Sequence, residues 1–266
     1  MRSATSPALT HARHFARPAP DLYRIASLTD DDLRACWEFR RGFMDLKPRV
    51  DPEDDWKKYQ AWVRTADFAW LPRDPDGRLR STFFYKVEVR HHEGRSCVLL
   101  WPEYGYSRPD ARSTAGLALA MLVAFGLGIL RAPGAPLYLV GSGYASSYTS
   151  LCQGLDEVFL AEDPAMTPWE RSLYRTLAAA TAGYDAATGV IDMGTIPRDP
   201  RTDPPRDPRL HEPWRRYVAR NPRWVDGYAC LVLARCPPTV ILSVIQWLAR
   251  RPRAVRRGGA ATQPSS

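Results

Sequence analysis

The sequence contains very little lysine. Lysine and arginine together number 37 among 266 residues, yet the lysines are only Lys47, Lys57, Lys58 and Lys86. A basic balance made almost entirely of arginine, in a chain rich in alanine and proline, is typical of a GC-rich genome rather than of a function. The net charge of +8 and the pI near 9.4 therefore do not indicate a nucleic-acid-binding protein. No interleaving of aromatic and basic residues accompanies the arginines of the C-terminal part, so we expect no nucleic-acid partner.

Cysteine is also scarce. The five cysteines are an odd number, and no two of them have CxxC spacing. This argues against a disulfide framework and against a metal site, and it favours a reducing, cytoplasmic location. The sequence also lacks the P-loop, GxGxxG, GxSxG and HExxH motifs.

Long apolar runs are few. Residues 1–20 lack the apolar core of a signal peptide and are predicted to be a disordered leader. Residues 114–130 approach the length of a membrane span, but three internal glycines and strand-like neighbours on both sides favour a buried helix. Residues 237–266 are predicted to be a short apolar helix followed by a basic tail. Within them, residues 239–257 fit contact with an anionic membrane surface, a cover for the sheet, or a dimer contact.

The most informative stretch of the sequence covers residues 97–141. It reads as a strand, a polar loop, an apolar helix and a second strand. The free N–H groups at the start of such a helix favour an anion, typically phosphate. Arg108 and Arg112 lie in the loop, and Ser113 and Thr114 offer N-cap oxygens. The alternative is an ordinary crossover helix with a polar loop.

The remaining segments predict a mixed chain of strands and helices. Residues 22–28 predict a strand, and residues 29–44 and 51–63 predict helices. Residues 68–72, 80–90 and 95–107 predict an antiparallel meander because the turns between them are short. After the central helix, residues 136–141 predict a strand parallel to the one before it, residues 143–154 and 167–183 predict helices, and residues 189–197 and 227–235 predict two paired strands. Residues 198–213 are rich in proline and predict a surface loop, and residues 214–220 predict a short helix.

This order of elements over residues 21–236 resembles the GNAT fold of acyl-CoA-dependent N-acyltransferases. The strand ending Leu100-Trp101-Pro102-Glu103-Tyr104 is similar to the family's strand with Pro-Glu-Tyr. The resemblance implies an α+β fold, a mixed, mostly antiparallel twisted sheet flanked by helices. The loop Arg112-Ser113-Thr114-Ala115-Gly116-Leu117 departs from the family's Arg/Gln-x-x-Gly-x-Gly/Ala pattern.

The resemblance also implies a donor site and a catalytic pair. The donor residues would be Trp101, Arg108, Arg112, Ser113, Thr114 and Gly116. Acyl transfer needs a base for the amine proton and an acid for the departing thiolate. Glu103 is the first candidate for the base and Glu88 the second. Tyr148 is the candidate for the acid, although it lies two residues from the family's usual tyrosine position.

The resemblance predicts an acyltransferase that uses acyl-CoA, or an acyl carrier protein thioester, and requires no metal. Its acceptor would be an amine of a small molecule or a protein. The alternative is a GNAT-like protein without catalysis that serves as a binding or scaffold module, because the loop and the tyrosine depart from the family pattern.

Overall fold

The computed structural model describes residues 21–108, 114–200 and 202–250. The strands are β1 (Leu22–Arg24), β2 (Met44–Leu46), β3 (Phe68–Trp70), β4 (Ser81–His92), β5 (Arg95–Ser107), β6 (Leu137–Gly143), β7 (Val158–Phe159), β8 (Tyr184–Asp185), β9 (Val190–Asp192), β10 (Thr195–Pro197) and β11 (Tyr228–Arg235). The α-helices are α1 (Asp30–Arg41), α2 (Pro52–Val63), α3 (Thr114–Arg131), α4 (Ala145–Gly154), α5 (Pro168–Ala180), α6 (His211–Arg220) and α7 (Pro238–Arg250). The predicted leader at residues 1–20 and the tail from residue 251 lie outside the described residues.

Nine strands form one mixed sheet. Its order is β1-β3-β4-β5-β6-β11-β9-β8, with β7 paired to β11. Every neighbouring pair is antiparallel except β5 and β6, which are parallel and joined by the crossover through α3. The two-residue turn between β4 and β5 has positive φ at both Glu93 and Gly94, which matches the right-handed twist of a hairpin. The predicted fold class, a mixed and mostly antiparallel sheet flanked by helices, is confirmed.

Helix α3 lies close to the sheet because a row of small residues runs along its inner side. That row is formed by Gly116, Ala120, Ala124 and Gly128, which recur every four residues. A Cβ at Gly116 would lie 2.3 Å from the Trp70 ring, and one at Gly128 would lie 2.9 Å from the Val98 side chain. Among the described residues, no helix is long and apolar enough to cross a membrane.

Alternate residues of β5 contribute to different halves of the core. Val98 and Leu100 pack with α3 residues, whereas Cys97 and Leu99 pack with α5 residues. Helices α1 and α2 form a third apolar cluster with β1, β3 and β4. Since residues of one strand alternate between the sheet faces, Trp101 and Glu103 continue the row of Cys97 and Leu99.

A second, two-stranded sheet was not predicted. It pairs β2 with β10 in antiparallel register, from Met44↔Pro197 to Leu46↔Thr195. The predicted first helix therefore ends three residues early, at Arg41. The predicted strand over residues 189–197 is divided at Gly194, where φ is +67°. Only β9 of that predicted strand reaches β11, and β11 pairs mainly with β6.

The proline-rich excursion is shorter than predicted. Residues 208–210 form a 3₁₀ turn, and α6 begins at His211. The prolines at 208 and 213 occupy early positions of these helical segments, where a missing N–H has no intrahelical partner to lose. The loop thus covers residues 198–207, with residue 201 outside the described part.

Candidate active site

The two central parallel strands separate partway along their length. Their pairing covers only Val98↔Leu137, Leu99↔Tyr138 and Leu100↔Leu139. Beyond these pairs β5 continues to Ser107 and β6 to Gly143. The region between the unpaired ends of β5 and β6, in the middle of the sheet, is called the cleft below.

Proline and a β-bulge help to produce this separation. Val98 donates its N–H to the carbonyl of Pro136 beside β6, and the alternation along a strand directs the N of Pro102 to the same side. Pro102 has no N–H to donate, so the ladder loses a hydrogen bond there. The register with β4 shifts in the next residues, where Tyr104 has a φ of +51°. Such a bulge bends the strand and redirects its side chains.

Glu103 places a carboxyl group in the cleft. Its Oε1 accepts a hydrogen bond of 3.2 Å from the N–H of Ser142, across the gap between the strands. Burial raises the pKa of Glu103 to about 7, although the Ser142 N–H opposes the change. A carboxyl with a pKa near neutrality is able to accept and return a proton at physiological pH.

A buried ion pair connects α1 and α2. Arg40 Nη1 donates to Asp55 Oδ2 at 2.6 Å, and Trp37 Nε1 donates to the same oxygen at 2.7 Å. The Arg40 guanidinium also lies 5.6 Å from the centre of the Tyr104 ring. A buried charge pair needs such additional hydrogen bonds to offset its desolvation.

Three tyrosines interact with these charged groups. Burial raises the pKa of Tyr104 and Tyr106, and the charge of Glu103 raises both further while Arg40 lowers them. Burial likewise raises the pKa of Tyr144, and the charge of Tyr106 adds to that rise. Tyr144 is the N-cap residue of α4, directly after β6. The residues Arg40, Asp55, Glu103, Tyr104, Tyr106 and Tyr144 form what we call the cleft cluster.

The predicted donor residues lie in several environments. Trp101 is on β5, two residues before Glu103, and its indole N–H is buried without a hydrogen-bond partner among the described residues. Arg108 pairs with Asp74 in the turn before β4, at 3.2 Å. Gly116 packs against Trp70, so its small size serves the seat of α3. Thr114 begins α3, and Arg112 and Ser113 lie outside the described residues.

Tyr148 lies on α4, one turn after Tyr144. Its ring is fully buried beneath α4, and its hydroxyl accepts a hydrogen bond from Arg216 of α6. Burial raises its pKa, and the nearby Cys152 thiol adds to the rise. The second candidate base, Glu88, is on β4 and pairs with Arg90 and Lys86. Among the described residues, neither Tyr148 nor Glu88 shares a hydrogen bond or ion pair with Glu103.

Sequence reasoning did not identify Arg40, Asp55, Tyr106 or Tyr144 as site residues. Arg40 belongs to the apolar stripe of the predicted helix over residues 29–44, which indicated core packing. Asp55 lies near the start of the predicted helix over residues 51–63. The position of Tyr144, immediately after a strand that follows the crossover, was the available signal for a cleft residue. Within the three described ranges no group of three or more potential metal ligands occurs.

The fold was compared with known proteins. No family model and no curated protein matches the sequence. Among solved structures, the chain is similar to an acetyltransferase of Trypanosoma brucei, with 17% identity over 55% of this chain and 96% of that one and a TM-score of 0.35. It is also similar to a probable N-acyltransferase of Enterococcus faecalis, with 13% identity over 53% of this chain and 35% of that one and a TM-score of 0.35. An acyl-CoA N-acyltransferase of Pseudomonas aeruginosa matches with 19% identity over 52% of this chain and 89% of that one, with a TM-score of 0.32.

Proposed function

We propose that this protein transfers an acyl group from acyl-CoA, or from an acyl carrier protein thioester, to an amine. The observation that carries the proposal is the Glu103 carboxyl, with a pKa near 7, at the point where β5 and β6 separate. A cleft in the middle of a sheet admits an extended donor, and main-chain N–H groups of β5 near Trp101 and Glu103 are candidates to bind its thioester oxygen.

The chemistry would proceed by direct attack of the amine on the thioester carbonyl. The nitrogen forms a bond to the carbonyl carbon, and Glu103 accepts the proton that the nitrogen loses. The carbon–sulfur bond then breaks, and the thiolate needs a proton. Tyr148 is the acid expected from the sequence, and Tyr144 is a second candidate because it belongs to the cleft cluster. Burial raises the pKa of both phenols, so both remain protonated at neutral pH.

A thiol-release assay tests this proposal. Purified protein is incubated with a panel of acyl-CoA donors and amines, and free CoA is measured. We expect release that depends on both substrates, with kcat/KM rising as the pH increases through about 7 because Glu103 must lose its proton. Glu103→Gln should lower kcat by roughly 10² to 10⁴ and remove this pH dependence. Glu212→Gln is the matched control, since this exposed glutamate on α6 is not a candidate base, and Glu88→Gln tests the second candidate.

The two tyrosines can be separated in the same assay. Tyr144→Phe and Tyr148→Phe each remove one hydroxyl and keep the ring. The variant whose kcat falls strongly, while it still binds CoA, identifies the proton donor. Equal and small effects of both changes would mean that water protonates the thiolate.

A scaffold protein without catalysis is the second candidate function. Two observations favour it. Arg108 forms an ion pair with Asp74, and the Trp70 ring occupies the space beside Gly116. Calorimetric titration with CoA and acyl-CoA separates the two functions. Micromolar binding that weakens in Arg112→Ala supports the donor site, whereas no binding to any of them favours the scaffold.

We also propose that α7 contacts an anionic membrane surface. Leu242 and Ile245 on α7 are 57% and 47% exposed, and Leu130 at the end of the neighbouring α3 is 80% exposed. In the sequence, arginines follow at positions 250, 251, 253, 256 and 257. Exposed apolar side chains followed by clustered arginines are typical of helices that lie in the headgroup region.

A further inference from the structure

A recess of about 380 Å³ lies beside the β2–β10 sheet, and no member of the cleft cluster lines it. Its walls are the segment after β2, strand β10 and the segment leading into β11. The lining residues are Lys47, Pro48, Arg49, Ile196, Arg223, Asp226 and Tyr228. This volume falls within the range of small-molecule sites.

Three cations line the recess against two nearby carboxylates. Lys47 Nζ lies 2.8 Å from Asp192 Oδ1, and Arg49 contacts the other oxygen of the same carboxylate. Asp226 supplies the second carboxylate. Arg223 makes no ion pair with any carboxylate in the described ranges, so positive charge remains in excess.

The ring of Tyr228 holds two of these cations in place. Lys47 Nζ and Arg223 Cζ each lie 3.8 Å from the centre of the ring. Cation–π contact with this ring helps to fix both charges before any ligand arrives.

Lys47 is a nearly buried cation that other cations surround, although Asp192 pairs with it. Its side chain is only 10% exposed. Burial lowers the pKa of Lys47, and the charges of Arg49 and Arg223 lower it further, although Tyr228 opposes them. An additional anion in the recess would relieve this repulsion.

We propose that the recess binds the oxyanion group of a small molecule, a carboxylate or a phosphate. Arg223 and Arg49 supply planar guanidinium groups that match two oxygens of such a group. Lys47 supplies a fixed positive charge behind them. The proposal does not depend on acyl transfer, because the recess uses none of the groups proposed for that reaction.

Calorimetric titration of the full chain tests the proposal. The probes are inorganic phosphate, pyrophosphate and citrate, at constant ionic strength adjusted with sodium chloride. We expect saturable binding of at least one probe, and the preferred probe tells phosphate from carboxylate recognition. Arg223→Gln should weaken that binding roughly tenfold or more, because it removes the guanidinium without an ion-pair partner.

Arg209→Gln is the matched control. Arg209 is an exposed arginine that pairs with Asp207 and does not line the recess. Its affinity should equal that of the unchanged protein. Unfolding midpoints show whether each variant is folded. If Arg223→Gln does not fold, Arg49→Gln carries the test, because the Arg49 side chain is 70% exposed. No saturable binding, or equal binding by the folded recess variants and the control, would overturn the proposal.

Discussion

At the scale of single residues, Glu103 links the shape of the sheet to chemistry. The strand separation creates the gap, and the Ser142 N–H is the hydrogen bond that the carboxyl receives across it. One such bond compensates only part of the lost hydration, so the protonated form is favoured up to about pH 7. A residue that is costly to ionise in the folded state also affects stability.

Replacing Glu103 should therefore change how stability depends on pH. Its folded pKa of about 7 lies above the ordinary 4.5, so the folded state binds more protons between these values. Stability is then lost as the pH rises from 4.5 to 7. Glu103→Gln should be more stable than the unchanged protein at pH 8, by on the order of 1 to 3 kcal/mol, with the difference closing below pH 5.

Urea unfolding across this pH series measures the effect. Glu212→Gln, an exposed glutamate on α6, is the control and should follow the unchanged protein. Curves for Glu103→Gln and the unchanged protein that stay parallel from pH 5 to pH 8 would contradict the prediction.

At the scale of elements, the seat of α3 on the sheet depends on its glycines in different ways. A Cβ at Gly116 would lie 2.3 Å from the Trp70 ring, whereas a Cβ at Gly126 would meet nothing within 4 Å. Gly116→Ala should therefore destabilise the protein by about 1 to 3 kcal/mol. Gly126→Ala should stabilise it by up to about 1 kcal/mol, since alanine is the better helix former. Chemical denaturation measures both; a loss of similar size in both variants would show that packing is not the cause.

The Arg40–Asp55 pair makes a second prediction about elements. Arg40→Leu leaves the buried Asp55 with Trp37 as its side-chain donor and should cost about 3 to 5 kcal/mol. The double variant Arg40→Leu/Asp55→Leu removes both charges and should recover part of this loss. Urea unfolding of the two variants checks the order. A double variant less stable than Arg40→Leu would mean that Asp55 stabilises α2 by itself.

At the scale of the whole molecule, local signals account for what could be predicted. The meander followed from turn residues, and the glycines at 77 and 94 have the positive φ that those turns require. The parallel orientation of β6 relative to β5 was predictable because α3 is long enough to form a crossover between them. The β2–β10 sheet was missed because each strand has three residues, too few for a period, and the pairing joins positions 150 residues apart in sequence. Tyr144 and Arg40 are also far apart in the sequence, so no local signal places them together.

The outer surface of the molecule gives the last prediction, on membrane contact. The full chain should bind vesicles of phosphatidylcholine mixed with phosphatidylserine, and binding should weaken as salt screens the arginines. Leu242→Glu/Ile245→Glu should abolish binding because it places charge where apolar side chains would enter the headgroup region. Gln246→Glu is the control, since it adds one charge to an exposed position of the same helix and should weaken binding only slightly. Co-sedimentation measures all three proteins, and equal binding by the double variant and the unchanged chain would leave α7 as a cover for α3 alone.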